Sequence, residues 1–428
     1  MENRKKNKKA KFTTFKHFYK RLYEEENIRK AWNAVYANCT SSPSLRTRND
    51  AKYFKSQEVV NLKRLKDSLA SKKFNFSVKA IPQERLGKDP RPLVNITIEG
   101  RIVQRCILNV LQSHSGIKKY MHNNPFSFGG IKHRGVKDAV EAVIRTSSEK
   151  GYTHFLTSDI GDFFTRIKSD IVIGKIKEFC KADQDFINIL QKAIHLEIEN
   201  MKEIERKYPK ILYKYNYTDE GVPQGSCLSP LFGNMYLYEF DKIMNSSSDV
   251  SCFRYIDDII IIGNSFKNVE NSFHKKALPI LEKLGLTAYI PSKSNKAAHG
   301  ELDSCSGFNY LGVNITKNQI KPSKDAFEKI IKEIKDLILE ALNFDAIKPV
   351  SLYKTLDLID RKLKGWGNHY SFCNAKVEMN VLDITMDKLL SEFIEKYNKK
   401  LAKLKPSHIR EKIGIQRVTN CKHDPIIK

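Results

Sequence analysis

Two adjacent aspartates, Asp257 and Asp258, stand in "SCFRYIDDIIIIGNS" (251–265), after the aromatic Tyr255 and between apolar, β-branched flanks. The pattern from Phe253 to Ile262 predicts a strand–turn–strand hairpin. Carboxylates about 4 Å apart repel by roughly 4 kcal/mol at an effective dielectric near 20. Such a pair is tolerable when one group stays protonated or a cation neutralises both. A hard divalent ion such as Mg²⁺ takes oxygen ligands and is commonly held by a few carboxylates together with substrate phosphates. Asp159 supplies a third carboxylate at the end of the apolar strand "HFLTSD"; Asp162, past the predicted strand end, is the weaker candidate. A double Asp by itself also suits an exposed turn. A further segment, "GVPQGSCLSPLFGNMYLYEFD", places Pro223, Gln224, Gly225, Ser229 and Pro230 ahead of a predicted helix. Glycine beside the Gln224 amide lets a backbone lie closely against a flat base or sugar; read alone, the segment is a turn with a helix cap.

The elements that must position these residues follow from periodicity. Residues 13–70 read as helical, with an amphipathic patch in "SQEVVNLKRLKDSLASKKF". "FSVKAIPQERLGKDPRPLVNI" reads as two extended arms around a Gly-containing turn, and "EGRIVQRCILNVLQSH" as an apolar-periodic helix. From Phe155 to Gly312 strands alternate with helices: a strand in "THFLTSDIGDFF", one long helix over "SPLFGNMYLYEFDKIM", the double-Asp hairpin, a helix over "FKNVENSFHKKALPILEKLG" and a strand pair in "SGFNYLGVNIT". Beyond Ser323, Phe327, Ile330, Ile331, Ile334, Leu337 and Ile338 recur at helical spacing. Helices around 350–373 and 382–404 complete an all-α module.

A chain of 428 residues with 41% hydrophobic content supports several subdomains sharing a core. Its 75 Lys+Arg against 49 Asp+Glu give +26, an excess that points to a polyanionic partner, nucleic acid first; a basic surface that binds nothing is the alternative. The start, "MENRKKNKKAKF", either holds a phosphate backbone or is a solvated tail, and it lacks the apolar region of a signal peptide. Eight cysteines are scattered singly, without CxxC or metal-ligand spacing, as in a reducing cytosol. No apolar run approaches the roughly 20 residues that span a bilayer. A cytoplasmic protein without a membrane partner is expected; the sequence sets no oligomeric state.

In order, "SDIGDFF", "GVPQGSCLSP", "YIDD", the lysine-bearing "IPSKSNK" and "FNYLGV" resemble the palm of reverse transcriptases. Upstream, "RPLVNITIEGRIVQ" and "PFSFGGIKHRGVKDAV" look like fingers segments of group II intron-type bacterial enzymes, and "LDLIDRKLKGWGNHYSF" is similar to the start of their thumb. The resemblance covers about residues 75–375. It implies an α/β (α+β) right-hand polymerase: a basic helical extension over 1–74, fingers over 75–154, a palm over 155–315 with a finger-like or inserted segment at 170–220, a helical thumb over 316–405 and a basic tail over 406–428.

The resemblance further implies two-metal nucleotidyl transfer, with two Mg²⁺ ions (Mn²⁺ as a substitute) held by Asp159, Asp257, Asp258 and the carbonyl of Ile160. Phe164 falls where the family places a bulky gate against the 2′-hydroxyl of a ribonucleotide, so dNTPs are preferred. Gln224 and Gly225 match the dNTP and template contact. Arg91 in "KDPRPL" matches the arginine that bridges the triphosphate, a role suited to its planar fork; Lys88 either assists or is a loop lysine. Lys293 matches the lysine that protonates pyrophosphate, with Lys296 as its rival. Tyr255 is placed near the primer end, and Phe308, Tyr310, Leu311 and Gly312 in the primer grip. Trp366 and Tyr370 either stack on bases and sugars or pack a helix bundle.

Three features depart from the pattern. Gly100 stands before "RIVQ" where intron-type enzymes usually carry an acidic residue. The segment 181–220 looks expanded and reads as an insertion contacting template or partner. After the thumb there is no room for an RNase H domain and no Cys/His-rich endonuclease pattern. The implied function is RNA-directed DNA polymerisation by a stand-alone bacterial enzyme, copying a dedicated structured noncoding RNA into cDNA, with dNTPs and a DNA primer or product, in antiphage defence. Defence-associated and retron enzymes have this build; without the "VTG" element of retrons, the former group is the better match. Template-independent or protein-primed synthesis on the same palm is one alternative. A non-catalytic RNA-binding scaffold is another, disfavoured by the intact Asp159, Asp257 and Asp258.

Overall fold

Four consecutive isoleucines, Ile259–Ile262, are each at most 1% exposed, so the strand that carries them is covered on both faces. The computed structural model describes residues 17–415 apart from 43, 86–87, 181–182, 219 and 347–349. The basic N-terminal start, the end of the C-terminal tail with Cys421, and the Lys88 side chain lie outside the described residues. The chain divides into two units, Met1–Gly300 and Glu301–Lys428.

Among the described residues the strands are β1 (Val78–Arg85), β2 (Lys88–Ile96), β3 (Ser127–Phe128), β4 (His154–Asp159), β5 (Val250–Tyr255), β6 (Asp258–Gly263), β7 (Ala298–Glu301), β8 (Phe308–Tyr310), β9 (Val313–Ile315) and β10 (Ile320–Pro322). The central sheet has the order β3-β5-β6-β4-β7. The isoleucine strand β6 pairs antiparallel with β5 on one side and β4 on the other. Alternation sends Ile259 and Ile261 into the main core with Val250, Cys252 and Leu156, and Ile260 and Ile262 to the opposite face. The mixed α/β class expected from the sequence is what the chain adopts.

Helices Phe18–Leu22, Glu25–Thr40, Leu45–Ser56 and Glu58–Ala70 bury Phe18, Leu22, Trp32, Phe54, Leu65 and Leu69 in the same core as the helix Ile98–Ser113. The hairpin β1–β2 packs Val78, Ala80, Val94 and Ile96 against Leu196, Ile204, Ile211, Tyr215 and Tyr217. Asn200 locks the two together, its amide donating to the Ala80 carbonyl and its oxygen accepting from the Ala80 amide. Leu196 to Tyr217 of the segment read as expanded thus share a core with this chain's own hairpin. The helix expected over "SPLFGNMYLYEFDKIM" is two, Ser229–Tyr236 and Tyr238–Met244. Leu237, at φ −91° and ψ 6°, leaves the α region and breaks it.

In the second unit, β8, β9 and β10 form a small antiparallel sheet. Helices Lys324–Leu342, Leu352–His369 and Lys376–Leu401 surround Ile330, Ile334, Ile338, Ile359, Leu382, Met386 and Phe393. Among the described residues, no helix is long and apolar enough to cross a membrane.

The β1–β2 hairpin also reaches the Gly/Pro segment: the Val94 amide donates to the Gln224 carbonyl at 2.9 Å. Gly225 follows at φ +114°, and a Cβ there would lie 2.9 Å from the Val94 carbonyl oxygen. The close approach that this glycine permits is therefore to β2. Gly225→Ala is expected to destabilise the protein by about 1–3 kcal/mol, seen as a lower melting temperature and faster hydrogen exchange in β2.

Candidate active site

Asp159 ends β4 and Asp258 begins β6, and the two are direct cross-strand partners. Tyr255, at the end of β5, faces Asp258 from the other side. Direct partners share a face, with Cβ atoms about 4.5–5.5 Å apart, and like charges so placed repel. Asp257 lies in the two-residue turn between β5 and β6, and its carbonyl accepts from the Ile160 amide at 3.0 Å. Burial first, and then the charge of Asp159, pushes the Asp257 carboxyl up to about 6. Burial, followed by Asp257 and Asp159, pushes Asp258 up to about 7. The corner is short of positive charge.

Its oxygen-only donors suit a hard divalent cation. Among the described residues, however, no three acidic, His or Cys side chains close into a metal cage. The three aspartates meet at one corner, but Asp159 Oδ2 accepts from Lys296 Nζ at 2.9 Å. An open corner of this kind fits a cation that shares its shell with ligand phosphates.

The turn that presents Asp257 and Asp258 is strained. Ile256 sits at φ +59°, a region that a β-branched residue rarely enters, at a cost of about 1–3 kcal/mol. Its amide donates to the Phe128 carbonyl at 3.2 Å, and its side chain closes over Gly129, where a Cβ would lie 2.7 Å from Cγ1. Its carbonyl accepts from Arg254 Nη1 at 2.8 Å. Arg254 points to the sheet face opposite the carboxylates and is fully buried. Its remaining N–H groups reach both oxygens of Asp241 (2.8 and 2.7 Å), Asn234 (3.2 Å) and Ser127 (2.9 Å). Asn124 also donates to Asp241, at 2.7 Å. Sequence reasoning missed this support. Its signal is present: a lone arginine in the apolar strand "SCFRY" requires buried partners.

The lysine beside Asp159 is Lys296, not Lys293. Lys296 also donates to the Tyr289 hydroxyl at 3.2 Å and sits 4.3 Å from its ring centroid. Partial burial works against its ammonium, but the bonds to Asp159 and Tyr289 leave its pKa raised. Lys293 is exposed on the same loop; its amide donates to the Ile290 carbonyl. The loop runs along the end of β4, where Tyr289 donates its amide to Asp159 and Gly161 donates to Thr287. Asp162 turns away from the corner to accept from Lys214 at 3.1 Å. Phe164, on the short helix Phe163–Arg166, is half-buried with its ring 5.3 Å from that of Phe163. Arg91 is exposed on β2, two residues before the bridge from Leu93 to Gln224.

In the second unit, Phe308 and Tyr310 are buried beneath the Leu311–Gly312 turn, whose residues lie at φ +50° and +80°. Tyr370 is buried against this turn, and a Cβ on Gly312 would sit 3.0 Å from its hydroxyl. Trp366 packs between Phe327 and Tyr370, at 5.2 and 4.7 Å between centroids.

The family described as reverse transcriptase (RNA-dependent DNA polymerase) matches residues 81–315. Similar proteins include a 91 kDa protein in the cob intron of Schizosaccharomyces pombe, 28% identical over 42% of this chain and 20% of that one. The group II intron-encoded protein LtrA of Lactococcus lactis is 28% identical over 37% of this chain and 23% of that one. This chain thus spans about a fifth of the length of these curated relatives. Among solved structures, apo telomerase from Candida tropicalis aligns with 76% of this chain and 62% of its own, at 15% identity and a TM-score of 0.41.

Raised carboxylate pKa values mean that the folded, metal-free protein holds protons that the unfolded chain has released. The contribution of these two groups to stability therefore falls as pH rises from about 3.8 toward 7. Asp258→Asn is expected to raise the melting temperature in chelator, most above pH 7 and progressively less toward pH 4. On the opposite face, Asp241→Leu is expected to cost about 3–5 kcal/mol by stranding Arg254. Adding Arg254→Met is expected to recover most of that loss in a denaturant titration.

Proposed function

We propose, for a chain that belongs to the reverse transcriptase (RNA-dependent DNA polymerase) family, that it extends a primer 3′-end with deoxynucleotides copied from RNA. The observation that carries this reading is the cross-strand pair Asp159–Asp258, with Asp257 beside it, half-buried at one end of a sheet. Asp159, Asp257, Asp258 and the carbonyl of Ile160 would hold Mg²⁺, as two ions, with Mn²⁺ able to substitute. Divalent metal held there would supply a lowered pKa at the primer hydroxyl and neutralisation of the triphosphate.

The chain's own groups do the rest. Lys296 holds Asp159 until a cation and nucleotide enter; its ammonium then stands where it can donate a proton to departing pyrophosphate. Arg91 approaches the triphosphate from the hairpin that is tied to Gln224. Phe164 offers the 2′-position an aromatic edge and no hydrogen-bond partner. Tyr255 lies beside the primer terminus, while the Leu311–Gly312 turn, backed by Tyr370 and Trp366, supports the primer strand. The charge of +26 supports a nucleic-acid partner. A structured noncoding RNA as template, and a role in antiviral defence in the cytoplasm, rest on the resemblance of the motif set to stand-alone bacterial enzymes.

Asp257→Ala with Asp258→Ala is expected to reduce dNTP incorporation on a primed RNA to background; incorporation at the wild-type rate would refute the site. Lys296→Ala is expected to slow the chemical step by about 10²-fold or more, and by more than Lys293→Ala does, in single-turnover kinetics. Sequencing RNA and DNA that co-purify from the host tests the template: one recurrent RNA with its complementary DNA is expected, and a random RNA population would exclude a dedicated one.

A further inference from the structure

Phe164 rides on a helix of four residues, Phe163–Arg166, too short to hold its own geometry in water. Its shape is imposed from outside. Asp162, the residue that starts it, lies at φ +50° and makes no side-chain cap within the turn. Instead its Oδ1 accepts from Lys214 Nζ at 3.1 Å. Lys214 comes from the 3₁₀ turn Pro209–Tyr215, and its side chain is only 6% exposed, against 50% for Asp162. At the other end, the Phe164 carbonyl accepts from the Val222 amide and the Ile167 carbonyl from the Gly221 amide, both at 2.7 Å.

Lys214 on one side and Gly221–Val222 on the other therefore grip the Phe164 turn at both ends. The turn that carries Lys214 is bound to β2, where the Tyr215 hydroxyl donates to the Leu93 carbonyl at 3.3 Å. An apolar side chain would fill the buried path of Lys214 without the desolvation that a buried ammonium entails. The ammonium supplies the bond to Asp162 and sits 5.7 Å from the Tyr213 ring centroid; of the two contacts, the bond to Asp162 is the one that reaches the Phe164 turn.

Resting on the reading of Phe164 as the barrier to a 2′-hydroxyl, we propose that Lys214 is a positioning residue for sugar discrimination. Its ion pair with Asp162 holds the Phe163–Arg166 turn, and the Phe164 ring with it, at the depth that rejects ribonucleoside triphosphates. The turn Pro209–Tyr215 is then part of the specificity apparatus, linking the β2 hairpin to the barrier.

The test is single-nucleotide incorporation on a primed RNA template, read as the ratio of kcat/KM for a dNTP over the matching rNTP. Asp162→Asn and Lys214→Met are each expected to lower that ratio at least tenfold, mainly through faster rNTP incorporation, while Lys214→Arg keeps it within threefold. If both rates fall together at a constant ratio, Lys214 is merely structural and the proposal is overturned. Should Lys214→Met fail to fold, Asp162→Asn decides, because that side chain is half-exposed and the change is isosteric; an unchanged ratio there overturns the proposal. Phe164→Val, run alongside, separates the two levels. A collapsed ratio in Phe164→Val with unchanged ratios in the other variants defeats only the role of Lys214. An unchanged ratio in Phe164→Val defeats the barrier reading, and a wild type that incorporates neither nucleotide defeats the polymerase reading; either result overturns the present proposal too.

Discussion

Asp159 and Asp258 face each other across β4 and β6, and strands do not ordinarily pair with like charges directly opposite. Asp257 adds a third carboxylate one residue away. The neighbourhood shows what is needed to keep them together. Four isoleucines bury the central strand on both faces, and its hydrogen-bond ladders to β4 and β5 hold the register that sets the pair opposite each other. The Leu286–Ile290 stretch fastens the end of β4 through the Asp159, Gly161 and Ser158 hydrogen bonds.

The turn between β5 and β6 meets the same demand from behind. Ile256 is held at positive φ by the Phe128 carbonyl on one side and Arg254 on the other. Arg254 can do this because Asp241, Asn234 and Ser127 occupy its other donors. A buried pair of this kind contributes little net stability; what it provides here is a fixed carbonyl at the tip that carries two carboxylates. Strain and buried charge on one face thus set the position of the acidic groups on the other.

Legibility in the sequence followed periodicity. The double-Asp hairpin, the β1–β2 hairpin and the helices after Ser323 could be read because alternation and 3.6-residue spacing are local. The aspartates themselves stood out as acidic residues at the ends of apolar strands. Lys293 and Lys296 could not be separated, since three residues along an irregular loop carry no information about side-chain direction. The contact of Gly225 with β2 was not legible, because Val94 is more than a hundred residues away. Arg254 was overlooked because its neighbours in sequence are apolar, and its partners come from two preceding helices and from β3, 127 residues away. The break at Leu237 left no Gly or Pro to announce it.

The central claim is that this corner makes DNA on an RNA template. Its most direct measurement is primer extension on a defined heteropolymeric RNA with dNTPs and Mg²⁺, with the product sequenced. The account predicts a DNA strand complementary to the supplied RNA, formed with divalent cation and not in chelator. A product whose sequence ignores the template, or no extension at any divalent-cation concentration, would contradict it.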